Sequence, residues 1–298
     1  MPTILITGGN GQLGKALGEL DWPEDYQIFC YGREQLDIGN NDEVRSIFRK
    51  ISPDLLINAA AYTAVDKAED EPEKAYAIND IAVANLGAAC MDNGNPMVHI
   101  STDYVFSGEQ HRAYKEEDVT DPCNVYGASK LAGEKSLEQV LPEHVIVRTS
   151  GVFSDHGSNF VKAIIRAYLR NDKNLRVVND QICGPIWAGD LARAVLRIAE
   201  NIRFSQSKEL WGTFHLSSAP AVSWFEFACE IIEALPLAAR NKLKVEPIPS
   251  SEYPTRAKRP GCSIFDCSKL DKIHGIGQPS RAQGLVEVIP VILEELVN

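Results

Sequence analysis

The chain opens on a short apolar run, Thr3 to Thr7, which leads directly into Thr7-Gly8-Gly9-Asn10-Gly11-Gln12-Leu13-Gly14 and then a helical pattern from Lys15 to Leu20. A strand that ends in Gly-x-x-Gly-x-x-Gly and restarts as a helix restricts the fold more than any other feature of this sequence. Gly8 and Gly11 permit a tight turn and close backbone approach, and Gly14 lets the helix pack on the strand. The amino end of that helix then faces a pyrophosphate. Gly8, Asn10, Gly11, Gln12, Leu13 and Gly14 are therefore the expected dinucleotide contacts of this loop.

The remainder of the first half fits the same frame. Apolar runs at 27–31, 54–58, 97–101 and 145–149 alternate with amphipathic stretches at 42–50, 73–93 and 125–141. Strands that are apolar on both faces and separated by helices predict a Rossmann-type, doubly wound parallel sheet of the α/β class. Beyond Gly151 the rhythm changes. Helices are predicted at 159–170, 190–203, 223–235 and 280–296, and the third opens on the capping box Ser223-x-x-Glu226. Short strands are expected at 176–178, 213–216 and 245–248, and residues 247–261 read as a long irregular loop of the kind that often carries function. The organisation expected is an NAD(P)-binding domain at 1–150, with segments returning to it from the second half left open, and a smaller mixed α/β substrate lobe at 151–298.

Composition narrows the partners. Thirty Lys and Arg against 41 Asp and Glu give a net charge of −11, which argues against nucleic acid and membrane surfaces, both of which select clustered basic residues. A 44% hydrophobic, 24% charged chain of 298 residues is an ordinary soluble globule with ample material for a core. Seven cysteines without CxxC spacing read as reduced thiols, and the amino terminus lacks signal-peptide character, so a cytoplasmic location is expected. Six histidines without an H-x-x-x-H pair or a Cys/His cluster predict no metal site.

Three further positions carry chemistry. Arg33, at the end of the second strand, suits the 2′-phosphate of NADPH, while Glu34 and Asp37 beside it keep NADH open. Tyr126 and Lys130 lie four apart, on one face of a helix, where an ammonium lowers the pKa of a phenol and tunes it for general acid work. Thr102 sits at the carboxyl end of a strand, where open α/β sheets place their ligands, and can hydrogen-bond the same substrate oxygen.

Together these residues resemble the extended short-chain dehydrogenase/reductase family and, within it, the dTDP-4-dehydrorhamnose reductase branch. The resemblance rests on the stretch from Asn58 to Glu69, Ser101-Thr102-Asp103-Tyr104-Val105-Phe106, Tyr126-Gly127-x-x-Lys130, Asp180-Gln181 with Gly184-Pro185, and Tyr253-Pro254-Thr255-x-Ala257-Lys258-Arg259-Pro260. It implies reduction by NAD(P)H of the C4 ketone of dTDP-4-dehydro-L-rhamnose to dTDP-L-rhamnose. Tyr126 would donate the proton, Lys130 would hold the nicotinamide ribose and lower the Tyr126 pKa, and Thr102 would orient the carbonyl oxygen.

By the same resemblance, Asp37, Ile38, Ala59, Ala60 and Ala61 join the cofactor site. Val65, Asp103, Tyr104, Asn159 with Phe160, Gln181 and Arg259 join the dTDP-sugar site, with the Arg259 guanidinium on the diphosphate. Related dehydratases carry Asp-Glu after the threonine; Asp103-Tyr104 lacks that second carboxylate and favours reduction. Three positions depart from the branch. Gly151 stands where a tryptophan usually faces the sugar, with Trp187 an alternative source of that surface, and Ile186 replaces the usual threonine. Lys15-Ala16 lacks the carboxylate that some members use for an interfacial magnesium, so no metal is expected and a homodimer stays open. Two other readings remain: a non-catalytic NADP-binding regulatory subunit of the methionine adenosyltransferase type, and a reductase or epimerase of another nucleotide 4-ketosugar.

Overall fold

The computed structural model describes residues 1–170, 174–204, 207–236 and 243–297. The five apolar runs of the first half form strands β1 (Thr3–Thr7), β2 (Gln27–Tyr31), β3 (Leu55–Asn58), β4 (Met97–Thr102) and β5 (His144–Thr149). The second half adds β6 (Asn174–Val178), β7 (Ile182–Cys183), β8 (Gly212–Leu216), β9 (Val222–Ser223) and β10 (Lys244–Ile248). Six strands make one parallel sheet in the order β2-β1-β3-β4-β5-β8. The run at 213–216, grouped by sequence with the strands of the second lobe, is thus the edge of the main sheet. β10 pairs in parallel with β6, and β7 pairs antiparallel with β9.

Helices α1 (Gln12–Gly18), α2 (Asn41–Ile51), α3 (Val65–Ala68), α4 (Pro72–Tyr76), α5 (Ala82–Asn93) and α6 (Val125–Val140) belong to the first half. They are followed by α7 (Phe160–Leu169), α8 (Ala188–Phe204), α9 (Trp224–Ala234), α10 (Ser268–His274) and α11 (Arg281–Val297). Because successive strand residues point to opposite faces, β1 feeds two cores. Ile4 and Ile6 join α1, α8 and Leu270 on one face, whereas Leu5 joins α2, α5 and Leu137 of α6 on the other. A third core under Phe227 and Ile231 binds α7, α9 and α11 to Val177 of β6. Each buried aliphatic side chain is worth roughly 1.5–3 kcal/mol against exposure.

Local chemistry sets the helix limits. The Asn40 side chain accepts from Asp42 N and Glu43 N to start α2, and Ser223 with Glu226 forms the expected capping box of α9. The continuous helix expected at 73–93 is interrupted between α4 and α5 by a π-helical turn, Ala77–Ile81. That turn buries Asn79, whose amide brackets Tyr62 through its N–H and carbonyl and reaches Ser129 Oγ at 3.0 Å. The loop after β3 is thereby fastened to α6.

Candidate active site

Strand order reverses at β1, which pairs with β2 on one side and β3 on the other, and ligands of open α/β sheets bind outside the carboxyl ends of strands at such a point. A cleft of about 790 Å³ lies there, lined by Gly8, Asn10, Gly11, Gln12 and Leu13 of the glycine loop. Gly8 has φ +75°, and a Cβ on it would stand 2.5 Å from Ala60 N, so the residue is dictated by backbone conformation and by close approach to the next strand's loop. Gly14 does not line the cleft; a Cβ there would collide with the Gly8 carbonyl oxygen, so it serves helix packing. Gly11, with φ −80°, would meet only Gly8 O at 3.2 Å. Its missing side chain leaves room in the cleft itself.

Arg33, Asp37, Ile38, Ala59, Ala60 and Ala61 line the same cleft. The Arg33 side chain is 81% exposed and pairs with Asp37 at 3.1 Å. Sequence reasoning missed Leu36, Ile78 and Leu191 on these walls, since apolar lining residues carry no pattern distinct from core, and it quoted Tyr62 and Thr63 in the 58–69 stretch without assigning them to the site.

At the other end of the cleft lie Thr102, Asp103, Tyr104, Tyr126, Lys130 and Val65. The Asn124 side chain caps α6 by accepting from Gly127 N at 2.7 Å, which sets Tyr126 in the first turn. Gly127 has a packing reason that the sequence did not disclose: a Cβ on it would collide with Tyr104 O, so only glycine lets α6 close on the turn after β4. The rings of Tyr104 and Tyr126 then meet edge to face, with centroids 5.6 Å apart.

The Thr102 hydroxyl accepts from Tyr104 N at 3.2 Å and donates to Asp103 Oδ1 at 3.1 Å. Asp103 Oδ2 accepts from Ser150 Oγ and Ser263 Oγ, each at 2.6 Å. Burial raises the Asp103 pKa against those three hydroxyls. Both of its oxygens are engaged, and it acts as the anchor of Thr102.

The ammonium-lowered phenol expected from Tyr-x-x-x-Lys is not what the pocket produces. Burial pushes the Tyr126 phenol up to about 12, opposed by the Thr102 hydroxyl, and burial brings Lys130 down to about 8 against the pull of Glu134. A phenol held protonated at neutral pH is loaded as a proton donor.

Four predicted substrate residues, Asn159, Phe160, Gln181 and Arg259, stand off the cleft wall. Asn159 caps α7 and donates to Gln12 Oε1 at 2.9 Å, so it supports a lining residue. Gln181 is half-buried in the turn before β7 and Phe160 packs against Trp224 and Phe227, both away from the lining. Arg259, with a side chain 25% exposed, binds Asp66 at 2.9 Å; burial raises the Tyr104 pKa and the Arg259 charge opposes that rise, so the guanidinium lies near the substrate end without lining the cleft. The loop that carries it is tied down by Asp66 on Ala257 N, by an Arg256–Asp70 ion pair, and by Asn124 on Lys258 O at 2.8 Å.

A family described as RmlD substrate binding domain matches residues 2–293. The chain belongs to this family. The dTDP-4-dehydrorhamnose reductase of Sinorhizobium fredii is 41% identical, covering 98% of each chain. A crystal structure of a dTDP-4-dehydrorhamnose reductase from Clostridium acetobutylicum superposes with a TM-score of 0.90 at 36% identity, covering 98% of this chain and 99% of that one. The enzyme from Bacillus anthracis, in complex with NADP, gives 0.88 at 38% identity, covering 97% and 99%.

Within this RmlD-type chain the departures acquire locations. Gly151 lines the cleft with φ +53°, and a Cβ there would lie 3.4 Å from the Trp224 ring. Trp187 does not supply the missing surface, because it packs on Gly189 and Gly284 under the Arg193 guanidinium. Ile186 is core. Among the described residues no group of three or more His, Cys, Asp or Glu could hold a metal ion, and no helix is long and apolar enough to cross a membrane.

Proposed function

We propose that this chain reduces the C4 ketone of dTDP-4-dehydro-L-rhamnose to dTDP-L-rhamnose with NADPH. The observation that carries the reading is one cleft with a glycine-loop cradle at one end and Thr102, Tyr126 and Lys130 at the other. The space left by Gly11 and the close-packed Gly8 fit a dinucleotide diphosphate, and Arg33 suits a 2′-phosphate. Arg33 already shares Asp37, so the preference for NADPH over NADH is expected to be modest. Seven free thiols agree with a reducing, cytoplasmic setting.

When bound, the dihydronicotinamide supplies the hydride. Tyr126 delivers its proton to the C4 oxygen, and Thr102, anchored by Asp103, orients that oxygen. Lys130 holds the nicotinamide ribose, and Arg259 takes the sugar-nucleotide diphosphate through the donors that Asp66 leaves free. The neighbour of Asp103 is Tyr104, a phenol whose pKa burial raises, so this position offers no second carboxylate for removing water. The test is NADPH oxidation by the purified protein with dTDP-4-dehydrorhamnose and other nucleotide 4-ketosugars. Turnover with the first is expected; binding of NADP without turnover on any of them would overturn the reading in favour of a regulatory subunit.

A further inference from the structure

A polar chain crosses the interior of the sheet and ends at the active-site lysine. Ala60 N–H donates to Asn58 Oδ1 at 3.1 Å, and Thr7 Oγ1 donates to the same oxygen at 2.6 Å. A backbone amide can only donate, so it fixes which end of the Asn58 side chain is oxygen. The Asn58 nitrogen therefore faces His99, 3.0 Å from Nδ1, and Nδ1 must accept. His99 is completely buried, and burial together with Lys130 and His144 keeps its ring neutral. A neutral ring that accepts at Nδ1 carries its proton on Nε2. That atom lies 3.2 Å from Lys130 Nζ, whose other partner is the Ile100 carbonyl at 2.7 Å.

We propose that His99 is a positioning residue for Lys130: Asn58 fixes the ring so that Nε2–H points at Nζ and offers the lysine a donor where an ammonium needs an acceptor. An amine satisfies this geometry by accepting from Nε2–H while donating to Ile100 O; an ammonium cannot. Burial acts in the same sense and brings Lys130 to about 8. The opposing charge is Glu134, one turn along α6, which is itself shared with Arg148 of β5 at 2.7 Å and with Ser101 of β4. Among the described residues, His144 of β5 also bears on His99, and Tyr126 lies one turn back from Lys130 on α6. The kinetic consequence rests on the reductase reading; the wiring does not. Lysine ammonium, the stronger donor to a ribose hydroxyl, is lost as pH rises through about 8, giving activity an alkaline limb there.

The test uses the full chain with labelled histidine and lysine. Nitrogen-15 spectra of the native protein should show His99 as the Nε2–H tautomer, and the Lys130 Cε signal, assigned by its loss in Lys130→Arg, should titrate near 8. Asn58→Asp is isosteric and keeps an acceptor for Thr7 and Ala60, but it turns an acceptor toward Nδ1. The ring should flip to Nδ1–H, and both the Lys130 titration and the alkaline limb of NADPH oxidation should rise by about one pH unit, a tenfold change. A native Nδ1–H tautomer overturns the proposal without any variant. A shift in Asn58→Asp without a ring flip also overturns it, since the added charge alone would then be responsible. Spectra that behave as expected in a protein with no turnover would leave the wiring standing and sink the reductase reading.

Discussion

The two ends of the cleft are built by different means. The nucleotide end is backbone: Gly8, Gly11 and Gly14 sit within one turn of chain, and what matters at each is the side chain it lacks. The substrate end is side chain, assembled from partners far apart in sequence, such as Asp103 with Ser150 and Ser263, Asp66 with Arg259, and Asn124 with Lys258. One end fails when a methyl group is added, the other when a polar atom is removed. A local motif announces the first, whereas only the folded chain assembles the second.

Substitutions can break this contrast in order of expected effect. Tyr126→Phe removes the proton donor and should lower kcat by about 10²–10⁴ with NADPH affinity retained in calorimetry; an unchanged kcat would refute the role. Arg259→Ala takes away charged hydrogen bonds worth roughly 1.5–3 kcal/mol, so the KM for the dTDP-sugar should rise about tenfold or more while kcat is nearly kept. An unchanged KM would remove Arg259 from the substrate site. Gly14→Ala should do the reverse, weakening NADPH binding and lowering stability by about 1–3 kcal/mol through the collision with Gly8 O, measured by denaturant titration alongside fluorescence.

Acid sensitivity is expected from a third place, the edge strand β8, where His215 is buried against Phe106 and Phe265. Burial, reinforced by Arg148, lowers the His215 pKa to about 3. The unfolded chain takes up a proton near 6.5 that the native state refuses, so this contribution is complete above that pH and is lost as pH falls from there toward about 3. The cost is about 1.4 kcal/mol per pH unit for one such histidine. A Tm series in which His215→Gln keeps the native slope would assign the acid lability elsewhere. The smallest effect is expected at Arg33→Ala, an exposed pair worth about 0.2–1 kcal/mol, which should reduce the NADPH to NADH preference by a few-fold.

Much of this site was legible because its signals are local. The glycine loop, the strand ends, Thr102 and the Tyr126–Lys130 spacing all follow from short-range rules. What was hidden depends on partner choice. The pattern at 213–216 fits any strand, and nothing within it says that its neighbour is β5. Asn159 reads equally as pocket wall or helix cap, and the fold uses it as a cap. Trp187 and Trp224 are interchangeable as letters; only packing turns one toward Gly151 and the other toward Gly284. The raised phenol of Tyr126 likewise arises from burial, which spacing does not encode.

The late arrival of β8 affects how this protein can be made. Every residue of β5 is buried, and its outer hydrogen-bonding edge is covered only when Gly212–Leu216 pairs with it. A nascent chain that has emerged as far as Thr149 carries the entire glycine loop but exposes a long apolar seam, the kind of edge that recruits other strands. Expression of residues 1–150 alone should therefore yield aggregate in place of a nucleotide-binding fragment, and extension through Leu216 is the least that could restore solubility.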